Sequence, residues 1–461
     1  MPPAMPATLP DLKLRSGLDI DYEVNNMKRL FLGGVHPADR KELSAGNALT
    51  PAPIPGKVVI PLLQHIGSVC ESLVKPGDVV KLGQKIGDGP GLCAPVHASV
   101  SGKVLAVETR RQPNGQPVLS VVIENDYQDT LDRTMYSHLN TQELSKEEII
   151  SAVREAGIVG MGGATFPTGV KTESGCGKVD TLIANACECE PYITADDMLL
   201  RTYPEQVLEG MKLICRVLQP VRAVLAVEDN KKEAITVLKK LMEHETQLEL
   251  MILPTRYPQG AEKQLIQAVT GREVPPGELP ASVGCAVFNA STFASVYKAV
   301  MLGQSLTRRI VTVTGEGVRQ PQNFIVRIGT PLSELIDAAG GLTNDAWKVI
   351  CGGPMMGIAQ ADLNVPVTKG TNAIICLTQA QNDERKRHTC IRCGKCLSVC
   401  PMRLQPLYLY RYHKIGDHAA LKRLHVTDCI ECGCCAYACP GKLPLVERIR
   451  GGKRAVKEAS E

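Results

Sequence analysis

Two cysteine-rich runs near the C-terminus carry the residues best suited to chemistry. Both read C-x2-C-x2-C-x3-C-P, one over 390–401 and one over 429–440. This spacing is typical of bacterial proteins that hold two 4Fe–4S clusters, in which the fourth cysteine of each run binds the cluster of the other run. The first cluster is therefore assigned to Cys390, Cys393, Cys396 and Cys439. The second is assigned to Cys429, Cys432, Cys435 and Cys400. Such a pair predicts a protein that transfers electrons.

Zinc is the alternative occupant of a cysteine-rich segment. Zinc takes four ligands, usually from two looser pairs, whereas this chain repeats a complete four-cysteine pattern twice. The repeat favours iron–sulfur clusters. Cys434 is an additional cysteine in the second run, and we interpret it as a packing residue rather than a ligand.

Composition limits the class of protein. A chain of 461 residues is too long for one core and predicts three or four domains. Its 52 Lys and Arg nearly balance its 48 Asp and Glu, which argues against a general nucleic-acid binder. Because iron–sulfur clusters are assembled under reducing conditions, the remaining thiols indicate a cytosolic protein.

The sequence also predicts how the chain relates to a membrane. The opening MPPAMPATLPDLKLR lacks the basic region and apolar core of a signal peptide. No apolar run approaches the length of a membrane span. We therefore expect a protein with no transmembrane segment of its own, soluble when alone and attached to a membrane only through partners.

Residues 31–125 have the pattern of a small all-β domain. Short strands rich in valine and isoleucine alternate with turn residues, and are predicted at Lys57–Pro61, Val79–Val80, Ser101–Val107 and Val118–Ile123. The segment resembles the lipoyl/biotinyl-like barrel-sandwich fold, although no lysine that would carry the prosthetic group is identifiable. His65 and His97 are interpreted as structural histidines of this domain.

Residues 140–305 change to alternating helices and strands. Ser145 and Glu148 form a capping-box pattern that opens a helix. Strands are predicted at Val179–Ala184, Ala223–Val227 and Leu248–Leu253, and amphipathic helices at Lys231–His244 and Ala261–Val269. This alternation predicts a Rossmann-like parallel sheet covered by helices on both faces.

Two further units follow. Residues 308–377 predict a β-grasp (SLBB-like) domain, with strands at Arg309–Thr314, Phe324–Ile328 and Ile374–Leu377 and a helix at Leu332–Ala339. Residues 385–447 predict an α domain that carries the two clusters. The basic stretch Arg385–His388 between them is either a solvated linker or a docking point for an acidic partner. The fold class is therefore multidomain α/β.

A glycine-rich segment after the first helix of the α/β domain is the candidate site for a two-electron cofactor. Clusters pass one electron at a time, so a two-electron donor needs a converter. Residues 160–171 read GMGGATFPTGVK, and closely spaced glycines let backbone N–H groups approach a phosphate or a flat ring. The segment matches neither the ATPase loop nor the dinucleotide fingerprint, and a simple tight turn is the alternative interpretation.

At this point the chain resembles known families. The 160–171 loop, the segment NACECEPY at 185–192 and the segment YPQGAE at 257–262 resemble motifs of the NADH-oxidising subunit of respiratory complex I. The segments GGVHP at 33–37, IPLLQHIG at 60–67 and GGPMMG at 352–357, together with the double cluster tail, resemble the RnfC subunit of the Rnf ion-translocating ferredoxin:NAD oxidoreductase.

The resemblance implies a flavin site and its residues. It implies FMN on the loop through Gly160, Gly162, Gly163 and Phe166, with Lys171 and Asn185 nearby. It implies an NADH side formed by Glu188, Glu190, Tyr257, Gly260 and Glu262, with Glu188 and Glu190 as the catalytic pair. Carboxylates are suited to accept hydrogen bonds from ribose hydroxyls. The alternative for Glu188 and Glu190 is a solvated strand end. Asn289 and Thr292 are carried over from a partial match. Cys187 and Ala261 depart from the family pattern.

The resemblance also implies a function and partners. NADH would deliver a hydride to FMN, and the two clusters would exchange electrons with other subunits of the membrane complex, including its iron–sulfur subunit that accepts electrons from ferredoxin. The chain would lie on the cytoplasmic face of the bacterial membrane. One alternative is a soluble flavin–iron–sulfur reductase serving another enzyme, such as a proline or cobalamin reductase partner. The other is a non-catalytic electron-wire subunit.

Overall fold

The computed structural model describes residues 31–132, 144–381 and 388–459. Arg385, Lys386 and Arg387 of the basic stretch lie outside the described residues. Four units follow one another along the chain: a β unit, an α/β unit, a second β unit and a helical unit that carries the cysteine runs. In the parts that are described, no helix is both long enough and apolar enough to cross a membrane.

The first unit consists of two small sheets. The four-stranded sheet has the order Lys57–Pro61, Pro117–Asn125, Gly102–Arg111 and Val79–Val80. The three-stranded sheet has the order Glu71–Ser72, Lys85–Asp88 and Val96–His97. Alternate side chains such as Val58, Ile60, Val121 and Ile123 point into a shared apolar core. The predicted strands of this unit are all present, while the three short strands were not predicted.

The second unit contains the predicted parallel sheet. Its order is Glu249–Leu253, Arg222–Glu228, Thr181–Ala186 and Cys285–Asn289, and every pairing is parallel. Its helices are Lys146–Glu155, Thr168–Gly175, Ala195–Thr202, Pro204–Leu218, Lys232–Leu241, Glu262–Thr270 and Ala290–Leu302. One apolar core lies on each face of the sheet, as the fold prediction requires. The capping box at Ser145 and Glu148 is formed in both directions.

The third unit is a mixed sheet of six strands. Its order is Thr50–Pro51, Gln322–Arg327, Arg308–Thr314, Ala373–Thr378, Ala346–Cys351 and Ile358–Ala359. The helix Leu332–Ala338 packs on it. The first strand of this sheet, Thr50–Pro51, precedes the strands of the barrel sheets in the chain and pairs in parallel with Gln322–Arg327. The N-terminal segment therefore joins two units that are far apart in the chain.

The helical unit lies against the α/β unit. Its helices are Lys395–Ser398, Pro406–Ile415, His418–Arg423, Cys434–Tyr437 and Leu445–Glu458. The Gly34 amide donates a hydrogen bond to the Val399 carbonyl at 2.9 Å, and Val35 forms a β-bridge with Tyr257. A Cβ on Gly33 would lie 2.7 Å from the Cys400 backbone, so this close approach requires glycine. Residues 33–35 thus connect the cysteine runs to the α/β unit.

Candidate redox site

The structure groups the eight cysteines around two cavities. One cavity is lined by Cys400, Cys429, Cys432 and Cys435. The other is lined by Cys390, Cys393, Cys396 and Cys439. Each cavity therefore receives the first three motif cysteines of one run and the last cysteine of the other run, and Cys434 also lines the first cavity.

The local backbone directs N–H groups at these sulfurs. Arg392 and Glu431 both adopt positive φ, and their amides donate to the sulfurs of Cys390 and Cys429 at 3.4 Å each. The Leu404 amide donates to the Cys400 sulfur at 3.3 Å. Such donors stabilise anionic sulfur and tune cluster potentials. The donor arrangement and the grouping both fit iron–sulfur clusters.

Burial of the thiols also fits a cationic occupant. Burial raises the pKa of Cys429 to about 11, so an isolated thiol here would stay protonated. Cluster iron would supply the positive charge that a thiolate needs. Cys434 is fully buried, and its Sγ lies 3.9 Å from the Tyr257 carbonyl oxygen, which it faces as a weak donor.

The two cavities differ in their surroundings. Cys432 and Cys435 are buried, and Tyr257 of the α/β unit donates a hydrogen bond from its hydroxyl to the Cys432 carbonyl at 2.7 Å. Both cavities are lined by residues of the helical unit, but the second one contains Cys393, which is exposed. The first cavity therefore faces the α/β unit, and the second faces the surface.

The glycine-rich segment forms a closed loop with an open outer surface. The Gly160 amide donates to the Phe166 carbonyl at 2.8 Å, which closes the loop. Gly162 and Gly163 are exposed, whereas Phe166 is half-buried. Gly163 has φ +114°, and no heavy atom of the residues that the structure describes lies within 4 Å of the position that its Cβ would occupy. A flat ligand can therefore approach the backbone at this point.

This loop lies at the carboxyl edge of the parallel sheet. Asn185 and Asn289 end neighbouring strands and are partners in register. A Cβ on Gly162 would lie 3.5 Å from the Cβ of Asn289. The Met161 amide donates to the hydroxyl of Thr292 at 3.0 Å, and Thr292 is fully buried. Thr292 therefore holds the loop in place rather than facing the open surface, at the sheet edge where α/β folds bind ligands.

Four predicted site residues meet beside the loop, namely Lys171, Asn185, Gly260 and Glu262. The Lys171 ammonium lies 2.9 Å from the Glu262 carboxylate and donates to the Val287 carbonyl at 2.7 Å. Asn185 donates from its amide to the Gly260 carbonyl at 2.8 Å. A Cβ on Gly260 would lie 2.2 Å from the Cys187 carbonyl oxygen, so only glycine fits there. The positive charge of Lys171 at the loop is therefore paired with Glu262.

Glu188 lies inside the protein behind this edge. One carboxylate oxygen accepts from the Asp196 amide at 2.8 Å, and the other has no hydrogen-bond partner among the described residues. The Lys41 ammonium is 3.9 Å away. Burial raises the pKa of Glu188 to about 7 in spite of that neighbour.

Glu190 connects three units. Its carboxylate accepts from the Met355 amide at 3.1 Å, and the Tyr257 hydroxyl lies 3.4 Å from it. Burial raises the pKa of Glu190 to about 7. Because Tyr257 also bonds the Cys432 carbonyl, Glu190 lies one residue away from the backbone of a cluster cavity. Met355 packs against this junction.

Two residues of the site were not predicted from the sequence. The buried Lys41 donates to the carbonyls of Glu188 at 2.9 Å and Glu190 at 3.0 Å, and also to that of Ile193. Asp196 accepts from the Asn289 amide at 2.6 Å. Lys41 therefore orders the turn that carries both glutamates, and Asp196 links Glu188 to the sheet edge. Neither belongs to a motif, since each contact joins distant parts of the chain.

Replacing Glu188 by glutamine should change how stability depends on pH. The folded protein retains the Glu188 proton up to about pH 7, whereas an unfolded carboxyl releases it near 4.5. The free energy of unfolding of the natural protein should therefore fall as pH rises through this window, by roughly 3 kcal/mol at most. Glu188→Gln should flatten the Tm profile between pH 5 and 7. Parallel Tm profiles for the natural protein and Glu188→Gln would contradict this prediction. Glu205→Gln, which changes an exposed glutamate, is the control.

Family models match the four units in order. Residues 29–128 match the RnfC barrel sandwich hybrid domain, and residues 153–298 match the Nuo51 FMN-binding domain. Residues 310–359 match the SLBB domain, and residues 382–440 match the 4Fe-4S dicluster domain. These matches support a fold that combines a barrel sandwich, a flavin domain, a β-grasp domain and a dicluster domain.

Curated relatives match nearly the whole chain. The RnfC subunit of the Na(+)-translocating ferredoxin:NAD(+) oxidoreductase complex of Acetobacterium woodii is 46% identical, over 92% of this chain and 97% of the relative. The corresponding subunit of the proton-translocating complex of Clostridium ljungdahlii is 44% identical, over 83% of this chain and 84% of the relative. A crystal structure of an NAD+-reducing NiFe-hydrogenase in the H2-reduced state, 20% identical, shares the fold with a TM-score of 0.50, over 70% of this chain and 65% of that one. The chain belongs to the family of RnfC subunits of the ion-translocating ferredoxin:NAD(+) oxidoreductase complexes.

Proposed function

We propose that the chain is the NADH-oxidising and NAD-reducing subunit of an ion-translocating ferredoxin:NAD oxidoreductase complex. It would exchange electrons between a nicotinamide and partner subunits, one of which accepts electrons from ferredoxin. Family membership and the matched flavin and dicluster domains support this function. The observation that carries it is the hydrogen bond from Tyr257 to the Cys432 carbonyl, which joins the sheet edge to a cluster cavity.

FMN would bind at the carboxyl edge of the parallel sheet. When bound, it would accept a hydride from NADH and release the two electrons singly. The open surface at Gly162 and Gly163 suits an isoalloxazine ring or a phosphate, and Gly160 and Phe166 close the loop beneath it. Lys171 and Asn185 would contact the cofactor from the neighbouring strand and helix. Asn289 and Thr292 would position the loop.

The nicotinamide side would be formed by Glu188, Glu190, Tyr257, Gly260 and Glu262. Glu262 is partly exposed beside Lys171 and is available to a ribose hydroxyl. Glu190 and Glu188 are buried carboxyls with pKa values raised by burial, so each can hold a proton near neutral pH. Lys41 would keep their turn fixed while the ligand enters.

The surroundings of the two cavities support an order for electron transfer. The cluster of Cys400, Cys429, Cys432 and Cys435 would be the first acceptor, because Tyr257 of the α/β unit donates a hydrogen bond to the carbonyl of Cys432. The cluster of Cys390, Cys393, Cys396 and Cys439 would be the exit, because its cavity opens at the surface of the helical unit. Exposed Ile391 lies beside that exit and would lie under a partner subunit.

The partners would place the chain at the cytoplasmic face of the bacterial membrane as a peripheral subunit. The chain's described residues contain no helix able to cross a membrane, and the relatives are named as members of ion-translocating complexes. A cytoplasmic position would give it access to NADH.

Cofactor analysis of the anaerobically purified chain tests this function. We expect about eight irons per chain, stoichiometric non-covalent FMN, and bleaching of the flavin and cluster absorbance by NADH. A non-catalytic electron wire would contain the iron but neither FMN nor an NADH response. A soluble reductase of another enzyme would show all three and yet fail to co-purify with membrane subunits.

A further inference from the structure

The barrel unit contains a second group of metal-ligating side chains, far from the cysteine runs in sequence. The sulfurs of Cys70 and Cys93 are 3.2 Å apart, and the Nε2 atom of His65 lies 3.7 Å from each of them. All three side chains are buried, with 6% exposure or less. Two thiols and one imidazole in such a triangle are a ligand set for soft cations.

We propose that His65, Cys70 and Cys93 bind one thiophilic d10 cation, zinc or cuprous copper, inside the barrel. The cation would be held by two thiolates and one neutral imidazole.

The distances suit a metal ion better than a disulfide. The point equidistant from the three atoms lies about 2.1 Å from each. An ion about 0.7 Å out of that plane and shifted slightly toward the nitrogen would lie about 2.0 Å from the nitrogen and about 2.3 Å from both sulfurs, the usual zinc bond lengths. A disulfide would require the sulfurs to approach to about 2.05 Å, whereas they lie 3.2 Å apart in this structure.

The histidine is already oriented for ligation. Its Nδ1 lies 3.3 Å from the Ile66 carbonyl, so the proton belongs on Nδ1 and the lone pair of Nε2 faces the sulfurs. An imidazole N–H bonded to a backbone carbonyl is the usual support of a histidine ligand. In this structure Nε2 accepts from the Ala94 amide at 3.2 Å, and the cation would replace that donor.

A buried cation lies close by. The ammonium of Lys369 donates to the carbonyls of Pro95 and Gly157 at 2.6 Å each, and the residue is 1% exposed. Burial raises the pKa of the Cys70 thiol, and the charge of Lys369 opposes that rise. Cuprous copper and two thiolates carry a net charge of −1, which the ammonium of Lys369 balances. Zinc and two thiolates are neutral without Lys369. Both occupants therefore avoid a buried net negative charge.

The proposed cation would act as a structural cross-link. It would tie the segment after strand Lys57–Pro61 to the turn at Cys93. The Ile66 amide donates to the Thr165 carbonyl at 3.3 Å, and the Lys369 amide donates to the Gln64 side chain at 2.9 Å. The cross-link would thus stiffen the surface that supports the 160–171 loop from behind. The spacing of residues 65, 70 and 93 matches no zinc motif, which is why the sequence favoured a structural role for His65.

Metal analysis of the cluster-loaded chain tests the proposal, because intact clusters occupy the eight ligand cysteines of the two C-terminal runs. The protein would be incubated anaerobically with one equivalent of zinc or of cuprous ion, dialysed, and measured by plasma mass spectrometry. We expect about one zinc or copper per chain in addition to iron, and background levels in Cys70→Ser/Cys93→Ser. Cys176→Ser, an exposed cysteine, is the matched control and should retain the metal.

X-ray absorption at the zinc or copper edge keeps the test decisive if the double variant fails to fold. Two sulfur ligands and one nitrogen ligand in the natural protein would support the site. Four sulfur ligands would overturn it, because they would place the metal in a cluster cavity. Absence of bound metal after incubation, or a Cys70–Cys93 disulfide found by peptide mapping, would also overturn it.

Discussion

Cys439→Ser should remove one cluster and leave the other. Cys439 lines the cavity of Cys390, Cys393 and Cys396, although it belongs to the other run in sequence. Iron should therefore fall from about eight to about four atoms per chain. Since the remaining cluster would be the one beside Tyr257, NADH should still bleach the flavin, while electron transfer to a partner subunit should be lost. Iron analysis, EPR of the dithionite-reduced protein and flavin absorbance measure these effects.

Cys434→Ser is the matched control, because Cys434 is a buried cysteine of the same run. Cys434 lines the first cavity, but its sulfur faces the Tyr257 carbonyl and is not needed to complete either group of four. We expect this variant to keep about eight irons. If Cys434→Ser lost a cluster and Cys439→Ser kept both, the grouping of ligands would be wrong.

The elements of the fold were largely predictable because their patterns are local. The capping box at Ser145, the helix Lys146–Glu155 and three of the four parallel strands follow from hydrophobic periodicity and from capping residues. The fourth strand, Cys285–Asn289, was missed because it is short and runs directly into the helix Ala290–Leu302. The strand Thr50–Pro51 was missed for another reason, since only pairing with Gln322–Arg327 defines it.

The candidate site was predictable where motifs mark it and not where tertiary contacts build it. The loop residues and both asparagines were identified, and they do meet at one sheet edge. Lys41 could not be identified, because it acts through carbonyl groups of a turn about 150 residues away. The inward position of Glu188 could not be predicted from the sequence either. A glutamate at the end of a strand gives the same sequence pattern whether it faces solvent or a buried lysine such as Lys41.

The junction of Glu190, Tyr257 and Cys432 shows what only the structure could add. Three segments, separated by 67 and 175 residues, meet within hydrogen-bonding distance. The motifs predicted a nicotinamide role for Glu190 and Tyr257, and the geometry adds a connection from those residues to a cluster cavity. That connection is the basis for the order of the two clusters proposed above.

Gly163→Val should abolish flavin binding without unfolding the protein. Gly163 has φ +114°, which a β-branched residue resists, at a cost of about 1–3 kcal/mol. Among the described residues, no heavy atom lies within 4 Å of the new Cβ, so the valine would project into the space where the ligand is proposed to bind. We expect loss of FMN and of NADH oxidation with artificial acceptors, with about eight irons retained.

Gly277→Val separates backbone strain from ligand exclusion in this experiment. Gly277 also has positive φ, and no heavy atom of the described residues lies within 4 Å of its Cβ position. It lies in the exposed loop that precedes the strand Cys285–Asn289, at the end of that strand opposite to the flavin loop. Both variants should lower Tm by comparable amounts, because both force a β-branched residue into a left-handed conformation. Only Gly163→Val should lose the flavin, measured as released FMN fluorescence per chain. Full flavin and full NADH oxidation in Gly163→Val would reduce the 160–171 loop to a tight turn and favour an electron-wire subunit.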